Sequence, residues 1–154
     1  MKTLANQRDR DDILRRLKLV RPESARRWGR MTAHQMVCHL RDAFLIGMNP
    51  KQVRQVGGLH NRTIVKWIAL YMPVRWPAGV TTPPEIDQVN GGGSRPADFY
   101  HDVKGLEEAL DILTSDPAEF FRACRHPIFG DMTLVAWLRW AYLHMDHHLR
   151  QFGV

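Results

Sequence analysis

Only two cysteines, Cys38 and Cys124, occur in 154 residues, which excludes a disulfide framework and suits a reducing compartment. A chain of this length reads as one domain, residues 1–154, able to bury a core without such staples. Long apolar runs are missing too. Arg139 interrupts the longest candidate, and the opening MKTLANQRDRDD has no apolar stretch of the kind a secretion signal needs. The expectation is a soluble, cytoplasmic protein that crosses no membrane. No alternating apolar pattern rivals the helical periodicities, and there is neither an internal repeat nor a low-complexity segment, so the fold class expected is all-α.

Net charge is absent outside the N-terminal end. Residues 1–30 hold ten Lys or Arg against four acids, which accounts for the whole net charge of +6, and the remainder is balanced. Such a patch could attract phosphates or other anions. Acids are interspersed and no nucleic-acid motif accompanies it, so a solvated helix face is the simpler reading and a nucleic-acid partner is not expected.

What the chain does contain is helical spacing. Ile13, Leu14 and Leu17, with Asn6 as N-cap, predict a first amphipathic helix over residues 7–20, closed by Pro22. Thr32 followed by Gln35 is a capping-box pattern, and it starts a second helix running to about Met48, ended by Asn49 and Pro50. After a connection over residues 51–60, Ile64, Val65, Trp67, Ile68 and Tyr71 suggest a third helix, capped near Asn61 and stopped by Pro73. Residues 74–96 are rich in proline and glycine and read as a long irregular crossover, with Trp76 as its one large apolar anchor. A fourth helix over 98–114 turns Phe99, Val103, Leu106, Leu110 and Leu113 inward. A short extra turn falls at Phe120 and Phe121, and the last helix is capped by Asp131 or Thr133.

The chemistry concentrates in that last helix. With His144 at 0° on a helical wheel, Trp137, His148 and Gln151 lie at about 20°, 40° and −20°, on one side, whereas His147 at about 300° leans towards the charged face. An i, i+4 histidine pair can offer two nitrogens to one metal ion. Eight histidines would produce roughly 0.4 such pairs by chance, so a third ligand is required. In the second helix His39 shares the inward face with Met36 and Ala43, while His34 and Cys38 point elsewhere. Packed helices can therefore bring His39, His144 and His148 together, leaving a coordination position open as catalytic zinc sites do. From the residues alone, three hydrogen-bonded structural histidines are an equal reading. Cys38 lies too far around the helix from His39 to form a nucleophile pair, Cys124 has no activating neighbour, His126 reads as loop structure, and His60 and His101 as surface groups. Trp137 is placed to wall the pocket and Gln151 to hydrogen-bond a ligand histidine.

The segments AHQMVCHLRDAF and HPIFGDMTLVAWLRWAYLHMDHHLRQFG closely resemble the DinB-like (YfiT-like) superfamily, and within it a branch of unknown function. The ending His144-Met-Asp-His147-His148-Leu-Arg-Gln151 is similar to that superfamily's H-x-x-H-H-x-x-Q ending, and His39 matches its first metal histidine. The resemblance implies a four-helix bundle with long crossover loops, and a divalent metal, commonly nickel or zinc, on His39, His144 and His148. Characterised members include metal-dependent thiol transferases and a thiol-dependent isomerase that use low-molecular-weight thiols.

Three functions follow as expectations. The first is a metal-dependent enzyme that activates a small thiol for transfer to a small-molecule electrophile. The second is metal-assisted hydrolysis, which needs a general base; Asp42 and Asp146 both lean away from the ligands, and a side chain from the long loop is an equal candidate. The third is a non-enzymatic metal-binding stress or interaction module, in which the metal serves only stability or the basic first helix, with Arg15 and Arg16, docks an anionic partner or nucleic acid. A homodimer would follow if Trp140 and Leu143, off the main stripe, were exposed.

Overall fold

The computed structural model describes residues 1–45, 58, 60–80, 82–116, 118 and 125–154. The end of the second helix at Met48, its stop at Asn49 and Pro50, the connection before His60, the turn at Phe120 and Phe121, and Cys124 all lie wholly or mainly outside the described residues. The described chain is helical: α1 Gln7–Leu17, α2 Ala33–Leu45, α3 Lys66–Tyr71 entered through a π-helical turn Asn61–Val65, α4 Phe99–Ser115 and α5 Leu134–Gln151. Among these residues there is no strand, only one isolated bridge between His126 and Gly130.

The caps explain where the helices begin. Asn6 Oδ1 accepts from the backbone N–H groups of Arg8 and Asp9 at the head of α1. At α2, Thr32 Oγ1 accepts from Gln35 N at 3.1 Å and Gln35 Oε1 accepts from Thr32 N at 2.9 Å, a complete capping box. Asp98 caps α4, and of the two candidates before α5 it is Thr133 that caps, through Ala136 N. Helix α1 stops at Leu17, before Pro22, and leaves Val20 buried in an irregular tail.

Helix α2 packs along α4, and α5 lies against α1, α2 and α3. Met36, Leu40, Leu106, Leu113, Met145 and Leu149 are fully buried between them. Trp140 is not a surface residue: it is 7 % exposed and packs on Phe44, His126 and His144, while Leu143 is half-buried. Arg139 is not on a charged surface either. It is buried and donates to the carbonyls of Leu70, at the end of α3, and of Lys2, tying both to α5. Arg16 pairs with Asp146 of α5 at 2.8 Å with only 12 % of its side chain exposed, so it is committed within the fold.

The described residues of 74–96 are irregular apart from a 3-10 turn at Pro84–Ile86, and they are anchored from inside. Asp42 of α2 accepts from Gln88 Nε2 (3.0 Å), Ser94 N (2.7 Å) and Ser94 Oγ (2.6 Å). Gly93, at φ +74°, lies so close to that carboxylate that no side chain would fit. The loop crosses the bundle beside the histidines of α5 and closes one side of a cavity.

Candidate metal centre

His39 on α2 and His144 and His148 on α5 converge. One ring nitrogen of each lies within 4.8 Å of the others, and His39 Nε2 stands 3.2 Å from His144 Nε2. All three are buried, at 3 %, 8 % and 7 % exposure. Burial holds each below the ordinary histidine range; for His144 the neighbouring imidazoles act in the same sense, and so does His39 upon His148. The rings are therefore neutral and keep a lone pair, the form a metal requires.

Two tautomers are fixed by the partners. His39 Nδ1 lies 3.1 Å from the carbonyl of Ile86, which only accepts, so the proton is on Nδ1 and the lone pair on Nε2. His148 Nδ1 lies 2.9 Å from Gln151 Oε1. Gln151 Nε2 donates at 2.9 Å to the carbonyl of Trp28, which fixes the amide's orientation and makes its oxygen the acceptor from His148. His148 thus also presents Nε2. His144 Nδ1 is buried with no hydrogen-bond partner among the described residues.

No family model, curated protein or solved structure matches this chain. The site is accordingly read from its geometry. Tetrahedral coordination at about 2.0–2.1 Å sets ligand nitrogens about 3.3 Å apart, close to the 3.2 Å between His39 and His144. A shared N–H···N bond would equally satisfy that pair, and His144 Nδ1 stays without a partner under either arrangement. The three histidines could hold a metal ion.

They form the floor of a cavity of about 790 Å³. Trp137 lines it, 2 % exposed, against His126 and Trp140. Trp76 from the crossover lies over His144 and His147, its Nε1 bonded to the carbonyl of Ala69 at 2.8 Å. His147 does not face the charged surface: it is 7 % exposed, packed against Trp28, Trp76 and His148, and desolvation pushes it down to about 4. His126 is a loop residue, yet also buried in the cavity wall. Its Nδ1 accepts from Ile128 N and Phe129 N, and burial lowers it to about 3. Sequence periodicity missed both: His147 is covered by Trp28 and Trp76 from irregular segments, and His126 lies outside any helix, against Phe129 of its own turn and Trp137 and Trp140 of α5. His60 and His101 are exposed.

A second cluster, His34, Cys38 and Asp102, also has ligand-like spacing. Here the carboxylate is already saturated. Asp102 takes His34 at 2.7 Å, Arg41 at 3.0 Å, Ala97 N at 3.2 Å and the Cys38 thiol at 3.7 Å. Burial and the Asp102 charge push Cys38 up to about 12, so this thiol is inert. The cluster clamps α2 to α4, with a cationic guanidinium where a metal would need room.

Proposed function

We propose that the protein is a metal-dependent enzyme of the DinB-like superfamily, a four-helix bundle with long crossovers, holding nickel or zinc on His39, His144 and His148 and activating a thiol for transfer to an electrophile. The observation that carries the reading is the donor set: three neutral imidazoles, two with tautomers fixed by Ile86 and Gln151, meeting at the floor of a large cavity. A divalent cation held there would supply Lewis acidity and lower the pKa of a thiol within its reach. The chain's own part is to orient: Ile86 and Gln151 aim the ligands, and Trp76 and Trp137 wall the space beside them.

Hydrolysis is the weaker reading because, among the described residues, no carboxylate is free beside the histidines. Asp42 is taken up by Gln88 and Ser94, Asp146 by Arg16 and Arg150, and Asp87 by the backbone of its own loop. A metal-ionised thiol needs no such base. No helix among the described residues is long and apolar enough to cross a membrane, and a reduced buried Cys38 suits the cytoplasm we assign it. Metal content per chain tests the reading, measured on protein purified without a histidine tag or chelator. Near-stoichiometric nickel or zinc in wild type, lost in His39→Ala and His148→Ala, is the expected result. Wild type that carries none and takes up none when offered would overturn it.

A further inference from the structure

We propose that the cavity binds a predominantly apolar organic molecule with its one polar group at the histidines. The proposal deepens the metal-site reading by naming the substrate class, and it rests on that reading only for the polar end. About 790 Å³ falls within the roughly 300–1,000 Å³ of pockets that enclose drug-sized molecules. The hydrogen-bonding capacity is uneven. The buried histidines and Gln151 lie at the floor, whereas much of the remaining wall is aliphatic or aromatic. Arg30, Arg75 and Asp87 are the charged residues among those that line it, and both arginines are solvent-exposed.

The apolar lining continues outward. Val65, Ile68, Val74 and Val80 line the cavity, yet are 43 %, 42 %, 50 % and 51 % exposed. Contiguous apolar surface left in water at the mouth of a cavity marks a place where something apolar is bound. A hydrophilic thiol with several carboxylates and amides would find few partners on such walls, and its desolvation would go uncompensated. A ring system or short hydrocarbon would instead remove water from both surfaces, at about 25 cal/mol per Å² of apolar area. Four of the five tryptophans, Trp28, Trp76, Trp137 and Trp140, line the same space and report on its contents.

The experiment is fluorescence titration with N-phenyl-1-naphthylamine, a neutral apolar probe, using the full chain with and without zinc. Saturable one-to-one binding with quenching of tryptophan emission is expected, with displacement by 2-naphthalenethiol and none by glutathione. Ile68→Asp and Val80→Asp, both at exposed positions, should each weaken the probe at least tenfold while helical content and zinc content stay at wild-type levels. No saturable binding, binding unaffected by both substitutions, or displacement by glutathione as effective as by the naphthalene thiol overturns the proposal. Probe binding that shows this pattern in a protein carrying no metal would leave the apolar site standing and remove the metal reading alone.

Discussion

Gln151 is the residue whose replacement tests the site most directly, because its single amide serves two partners with opposite needs. Its oxygen accepts from His148 Nδ1 and its nitrogen donates to the carbonyl of Trp28, both at 2.9 Å, in a side chain only 3 % exposed. In Gln151→Leu the imidazole loses the acceptor that fixes its tautomer, and the Trp28 carbonyl loses its donor. Losing an outer partner of this kind costs about 10- to 100-fold in metal affinity, or about 1.4–2.7 kcal/mol. The two vacated hydrogen bonds should lower fold stability by about 1–3 kcal/mol. Gln151→Glu separates the two roles. A carboxylate still accepts from His148, so metal affinity should stay near wild type, while an oxygen now faces the Trp28 carbonyl and stability should fall. Zinc competition against a chromophoric chelator at neutral pH reads the first quantity, and urea denaturation of the metal-free protein reads the second. Gln151→Leu that holds zinc as tightly as wild type would refute the tautomer argument.

Other substitutions probe the scaffold. Arg139→Met removes the donors to the Leu70 and Lys2 carbonyls; at about 1.5–3 kcal/mol for each charge-assisted bond, a loss of about 3 kcal/mol or more is expected by denaturant titration. His126 remains neutral in the fold down to about pH 3, whereas the unfolded chain protonates it below about 6.5. The unfolded state therefore binds the extra proton, and stability attributable to His126 is lost as pH falls from about 6.5 towards 3, at about 1.4 kcal/mol per pH unit. His126→Asn keeps an acceptor for Ile128 N and Phe129 N, and its unfolding free energy should show a shallower acid dependence than wild type by that amount. Asp42→Ala frees Gln88 and Ser94; new protease cleavage within residues 84–96, with metal still retained, is the expected result of limited proteolysis.

The parts of this protein legible in its sequence are those governed by local periodicity and caps. Thr32 with Gln35, Asn6, Asp98 and Thr133 mark helix starts because their hydrogen bonds span only two or three residues. The inward phases of His39, His144 and His148 follow from the same 3.6-residue repeat, and the structure brings these three together. What local pattern cannot hold is the covering of one segment by another. His147 sits on the wheel's polar side, but Trp28 and Trp76 from two loops bury it. Arg139 counts as polar in any hydropathy scan, yet its partners are carbonyls, which have no side-chain signature. The same holds for the acceptor that orients His39, which is the backbone of Ile86. Asp42 leans off the histidine face, as the wheel says, and its use as the anchor of a distant loop is visible only in three dimensions.

His39 and His144 lie 105 residues apart along the chain, so a metal site built on both would depend on a contact between two separate helices. His144 and His148 lie one turn apart and travel together as a two-nitrogen half-site wherever α5 is helical. The third nitrogen would join them only when α2 docks, so a parting of α2 from α5 would leave a bound ion with two of its three protein ligands while both helices stay intact. A zinc off-rate that rises in variants loosening the α2–α5 contact, with global unfolding unchanged, is the expected sign of that dependence.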